Sequence, residues 1–135
     1  MSESIPFSEL LGKTFVKIDV KRKNDVEKIW DDVITFHCNN GEKYELYHPQ
    51  DCCESVEIDD ICGNLDDLIG SPILVADEIS NNDNPKPHKD NPDASDSTCT
   101  WTFYKLATVK GWVDLRWYGT SNGCYAEWAE LFKVQ

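Results

Sequence analysis

Between Tyr44 and Pro85 the chain has neither lysine nor arginine, while eleven Asp and Glu fall in the same interval. The shortage of positive charge extends to the whole sequence: over 135 residues, 13 Lys and Arg face 25 Asp and Glu, for a formal net charge of -12. A surface this negative repels phosphate backbones, which disfavours ordinary nucleic-acid binding through a basic groove. A metal ion or a basic partner is its natural counter-charge; the plainer alternative is that the charge serves solubility.

Other features are missing too. The opening Met1-Ser-Glu-Ser-Ile-Pro-Phe lacks a basic region followed by an apolar run, and no window approaches membrane-spanning length. The expectation is a protein that stays in the cytosol. There the six cysteines would be reduced, so that metal ligation or burial explains them better than disulfides. No Gly-rich phosphate loop, Gly-x-Ser-x-Gly elbow, His-Glu-x-x-His helix, EF-hand order or internal repeat occurs.

What is present suits one globular domain over residues 1–135, with five Trp, five Tyr and five Phe to fill a core. Ser4 to Gly12 reads as a Ser-capped helical turn. Lys13 to Val20 alternates like a strand, except that Val16 spoils the period. Val26 to Trp30 and Val33 to Cys38 read as strand, interrupted or bulged at Asp31-Asp32. Asn39-Asn40-Gly41 predicts a tight hairpin that returns through Lys43 to His48. Ser55 to Ile61 predicts a short strand with an acidic face, and Asn64 to Ile69 a capped helical turn stopped by Gly70. The apolar run in Ser71 to Ile79 suits a buried strand.

Residues 81–98 have the composition of a solvated, flexible loop. Thr98 to Thr108 and Trp112 to Tyr118 predict a second hairpin, with Val113, Leu115 and Trp117 on one face. Gly119 to Gly123 reads as a turn, and Cys124 to Val134 as a last strand. The expected fold is mainly β (α+β): an antiparallel sheet, rolled or sandwiched, with one or two short helices.

Chemistry concentrates at 48–63, which holds three of the six cysteines and one of the three histidines. His48, Cys52, Cys53 and Cys62 form an acceptable tetrahedral zinc set by residue type. Their spacing suits zinc less, since adjacent cysteines diverge and a Cys-x-x-Cys knuckle is absent; Cys38, Cys99 or Cys124 would then complete a site. Two alternatives stand beside zinc. The thiols are reduced and buried, or Cys52 or Cys53 is a nucleophile with His48 as base and Asp51 or Glu54 orienting the imidazole. Dense carboxylates raise a thiol's pKa and oppose the last reading. The Trp and Tyr residues of 101–128 could stack a base or a nucleotide signal, although their alternation assigns most of them to the core.

His48-Pro-Gln-Asp-Cys-Cys-Glu-Ser-Val, Asp60-Ile-Cys-Gly-Asn-Leu-Asp-Asp-Leu-Ile-Gly-Ser-Pro-Ile-Leu, Trp101-Thr-Phe-Tyr-Lys-Leu-Ala-Thr and Arg116-Trp-Tyr-Gly-Thr-Ser-Asn-Gly together resemble a family of small acidic proteins. Its members occur in bacteriophages and in bacterial prophages and mobile elements. The likeness spans residues 8 to 134, and the family varies at the segment matching 81–98. Cys38, Cys99 and Cys124 lie outside its motif. By analogy, a small acidic phage protein without catalytic machinery looks like an inhibitor of host defences, of the anti-CRISPR kind. What this implies is a non-enzymatic inhibitor that meets a basic surface of a host nuclease through Glu57, Asp59, Asp60, Asp66 and Asp67, with zinc holding that face in shape. A sponge for a nucleotide second messenger and a small cysteine hydrolase are the competing expectations.

Overall fold

The structure is a computed structural model, and the residues it describes are 4–22, 31–49, 54–83, 98–121 and 127–134. It is mainly β, built from two antiparallel sheets that do not close into a barrel. The strands are β1 (Ser4–Ile5), β2 (Phe15–Lys21), β3 (Val33–Cys38), β4 (Lys43–Tyr47), β5 (Ser55–Cys62), β6 (Val75–Asp83), β7 (Thr98–Thr108), β8 (Gly111–Ser121) and β9 (Glu130–Val134). Five of them form a sheet in the order β1-β9-β4-β3-β2, and four form a second in the order β5-β8-β7-β6. The expected helices shrink to two 3-10 turns, Phe7–Leu10 and Leu65–Leu68. Among the described residues no helix is long and apolar enough to cross a membrane.

Local chemistry accounts for most of these elements. Val16, which broke the alternation of the first strand, sits at a bulge between Phe15 and Lys17 and is exposed. Gly41 takes φ +90° in the β3–β4 turn, a conformation that costs glycine nothing. Asn64 accepts a hydrogen bond from the Asp66 backbone N–H at 3.0 Å and so caps the second 3-10 turn. The first turn begins differently from expectation: Pro6 precedes it and no side chain caps it, because Ser4 belongs to β1, paired with β9. Val26 to Trp30 lie outside the described residues.

Three other expectations change. The apolar run in Ser71 to Ile79 is not a buried strand: Ile73 and Ala76 are buried, but Leu74, which precedes β6, and Ile79, which shares the outer face with Phe103, are exposed. Residues 81–83 belong to that strand rather than to the loop, of which 84–97 lie outside the described residues. Gly119 to Gly123 is not a turn at its start, since β8 runs through Gly119 to Ser121, with Gly119 opposite Val56 on one side and Thr100 on the other.

One apolar core takes residues from both sheets, including Phe15, Phe36, Ile34 and Leu46 from the first and Tyr104, Leu106, Val113, Leu115 and Trp117 from the second. The Tyr104 hydroxyl donates to the Ala129 carbonyl oxygen at 2.5 Å, and its ring meets Phe7 at 4.9 Å. Burial, then the nearby Glu78 carboxylate, pushes the Tyr104 phenol far above its ordinary pKa, so it remains a donor.

On the five-stranded sheet, Glu42 gathers Lys133 at 2.6 Å, Lys13 at 2.9 Å and the Asn40 amide at 2.6 Å. These partners, Lys133 first, hold its carboxyl well below the ordinary glutamate range. A depressed pKa adds stability that is present at neutral pH and is lost as pH falls below the ordinary value toward the lowered one. Glu42→Gln is therefore expected to melt lower than the parent at neutral pH, with the gap narrowing steadily as pH falls below the ordinary glutamate range. Thermal melts across that range would show it, and a pH-independent gap would refute the linkage.

Candidate functional site

Period two gives the four-stranded sheet an inner and an outer face, and the register fixes which side chains share a row. Thr100, Thr102, Tyr104 and Leu106 of β7 and Val113, Leu115 and Trp117 of β8 are buried on the inner side. Their neighbours point outward. Across the strands, Glu57 stands opposite Tyr118, Tyr118 opposite Trp101, and Trp101 opposite Asn81. The next row is Asp60, Arg116, Phe103 and Ile79, and the one after it Cys62, Asp114, Lys105 and Asp77.

The centre of this face is aromatic. Trp101 and Tyr118 pack with ring centroids 4.4 Å apart, and the Arg116 guanidinium carbon lies 5.5 Å from the Trp101 centroid. Asn81, Trp101, Phe103 and Arg116 line a shallow hollow of about 310 Å³. The β5 border is acidic because of a bulge between Ile58 and Asp60, which leaves Asp59 without an opposite residue and exposes both Asp59 and Asp60. Arg116 Nε donates to Asp59 Oδ2 at 2.6 Å, and its terminal nitrogen is 3.8 Å from Asp60 Oδ2. That pairing, Asp59 first, raises the Arg116 pKa. Both partners are about a third exposed, so solvent screens the bridge, and its main effect is to orient the guanidinium over the indole. A phosphate approaching Arg116 would meet the two aspartates that already hold it, which counts against the nucleotide-sponge expectation.

The five acids expected at a partner surface divide into two groups. Glu57, Asp59 and Asp60 border the aromatic face on β5. Asp66 and Asp67 lie on the 3-10 turn beyond the far end of β5, where Asp66 shares a separate hollow of about 380 Å³ with Lys17 and Lys110. Asp67 is anchored there by the Thr108 hydroxyl, which donates to its carbonyl oxygen.

Of the expected metal ligands, His48 and Cys62 are among the described residues, and these two stand apart. His48 is buried beside the start of β5, with Nε2 3.0 Å from Glu54 Oε2 and Nδ1 2.9 Å from the Trp128 carbonyl oxygen. A carbonyl oxygen only accepts, so Nδ1 carries a proton, and Nε2 and the Glu54 carboxyl share one more between them. Cys62 is exposed at the opposite end of β5, roughly 20 Å or more away at the rise of an extended strand. Its thiol donates to Asp60 Oδ2 at 3.3 Å, and that contact, first among several, raises its pKa. Cys52 and Cys53 lie outside the described residues, as does Cys124. Cys38 is buried in the core, and Cys99 lies beside Tyr118 on β7. Among the described residues no three His, Cys, Asp or Glu side chains are arranged to hold a metal ion.

Sequence reasoning offered Asp51 or Glu54 as the group orienting His48 beside a nucleophilic cysteine, and the structure contains the Glu54 contact. It missed the company the pair keeps. Asp32, buried, accepts from the Ile58 backbone N–H at 2.8 Å. Glu127, also buried, accepts from Thr100 Oγ1 at 2.7 Å and from the Ser121 hydroxyl. Nothing in the local pattern marks these acids as interior, because the groups they satisfy lie far along the chain.

Fold and site together define a two-sheet β protein with an aromatic outer face and an acidic border. A family profile, Domain of unknown function (DUF7448), matches residues 8–130, and the chain belongs to that family. No curated protein and no solved structure matches it.

Proposed function

We propose that this chain is a phage- or prophage-encoded, non-enzymatic inhibitor that docks on a basic surface of a host defence nuclease of the CRISPR-effector kind, in the host cytoplasm, and impedes nucleic-acid loading. The observation that carries the reading is the outer face of the four-stranded sheet, where Trp101, Tyr118 and Phe103 form an apolar centre beside Glu57, Asp59 and Asp60. Interfaces draw most of their affinity from such central aromatic anchors and their specificity and on-rate from the charged rim. A net charge of -12 suits the positively charged channels in which those effectors hold guide and target. The likeness to phage proteins in the quoted motifs supports the choice of partner.

Zinc is not required by this reading. Taking His48 as a ligand would cost its bond to Glu54 or to Trp128. Elemental analysis of protein purified without added metal settles occupancy independently.

The test is target-DNA cleavage by a panel of purified effectors with increasing amounts of the protein. Inhibition of at least one effector is expected, weakening with salt. Trp101→Ala should cost about 2 kcal/mol of binding, as an interface anchor does. Replacing Asp59, Asp60, Asp66 and Asp67 by Asn should weaken binding and flatten its salt dependence. If no effector is slowed, the inhibitor reading fails; if Trp101→Ala inhibits as well as the parent, the aromatic face is not the contact.

A further inference from the structure

Sheets with open edges invite pairing by other chains, and proteins guard against it with short edges, bulges, lysines or prolines. Three of the four edges here are guarded. β1 is two residues long. β2 carries the Val16 bulge together with Lys17 and Lys21, and β5 carries the bulge at Asp59. β6 has none of these devices: its register with β7 is unbroken from Val75 opposite Ala107 to Asp83 opposite Cys99, and it contains no Pro, Gly, Lys or Arg. The Phe7–Leu10 turn packs against β6, and the chain at Gly12 and Lys13 bonds to Ile73 just before the strand begins. Beyond that point residues 77–81 are exposed in succession, and no strand among the described residues pairs with the outer side of β6.

We propose that β6 is a strand-docking edge, to which an extended, lysine- or arginine-bearing segment of the partner protein adds as a fifth strand. The inference deepens the inhibitor reading above and rests on it for the existence of a basic partner. Charge selects the occupant. Asp77 and Glu78 are exposed on the edge strand, and no cation occurs in sequence from Tyr44 to Pro85. A second copy, itself at -12, would align acid against acid. The docked strand would also continue the aromatic face: Asn81 ends the Trp101 row and Ile79 the Phe103 row. An added strand would extend each row by one side chain, with backbone bonds supplying affinity and the rows supplying selectivity.

The test uses the full chain and a peptide of alternating Lys and Val about nine residues long, the length of β6. Its controls are a copy with methylated backbone amides and a Glu/Val copy. Titration and amide exchange are the readouts. The Lys/Val peptide should bind, slowing exchange at the β6 amides that point away from β7. Methylation should weaken binding by about tenfold or more, the worth of one or two net backbone bonds. Ile79→Lys, at an exposed position, should weaken it comparably while melting like the parent. If the methylated copy binds equally well, or β6 gains no protection, strand addition is overturned and the acidic-face reading stands. If the Lys/Val peptide does not bind, or binds no better than Glu/Val, strand addition is likewise overturned. The inhibitor reading is judged separately, by the cleavage assay.

Discussion

Gly119→Ala is expected to cost about 4 kcal/mol or more of folding stability, among the largest effects of any single methyl addition to this chain. The residue lies inside β8 and is buried. A Cβ there would stand 2.6 Å from the Glu127 carbonyl carbon and 2.8 Å from its Cα, and closer still to the carbonyl oxygen. These are main-chain atoms with little room to yield. The Glu127 side chain is held by Thr100 and Ser121, and the following Trp128 carbonyl accepts from His48. Relief would have to come from breaking one of those bonds or from spreading β8 away from β5 and β7. Gly41→Ala is the control. Its φ is positive but nothing lies within 4 Å of the added carbon, so it should cost only about 1 kcal/mol. Urea unfolding of both variants decides the matter, and equal losses would mean that the close approach at Gly119 is not rigid.

The His48–Glu54 pair supports the second large prediction. Glu54→Ala should lose about 3–5 kcal/mol, because removing one member strands the other's polar atom in the interior. Glu54→Gln keeps a polar partner for Nε2 and should lose less. Joint replacement with apolar residues, His48→Phe with Glu54→Leu, should cost less than the two single losses added together, since neither residue then strands the other and only the Trp128 carbonyl oxygen loses its donor. A double-mutant cycle by denaturant unfolding measures this coupling. Strict additivity, or a loss under about 1 kcal/mol for Glu54→Ala, would show that the pair is not the interior bond described.

Much of the strand layout was legible because it is written locally. Asn39-Asn40-Gly41 specifies a turn by conformational preference, and Val113, Leu115 and Trp117 mark a buried face by their spacing. Even the irregularity at Val16 was visible as a broken alternation, and the structure makes it a bulge. What could not be read depends on partners distant in sequence. Gly119 looks like a turn residue, but the main chain at Glu127 is what requires the missing side chain. In β7 the larger Trp101 and Phe103 face outward while Thr100 and Thr102 face inward, contrary to the assignment of most aromatics to the core. The reason is that Thr100 donates to Glu127 and Thr102 meets Ser80 at 3.4 Å. The candidate site was half visible. Glu57, Asp59 and Asp60 were picked out by charge, whereas the aromatic centre beside them, and the separation of His48 from Cys62 along β5, appear only once the register is known.

Two of the five tryptophans occupy contrasting optical environments. Trp117 is fully enclosed, and among the described residues its indole nitrogen has no hydrogen-bond partner, so its emission belongs to the blue end and reports on the integrity of the interior. Trp101 lies against Tyr118 and Arg116 on the outer sheet surface, where anything that settles there changes its quenching. With the exposed Trp112 and Trp128 replaced, one unlabelled sample would carry a signal for being folded and another for being occupied.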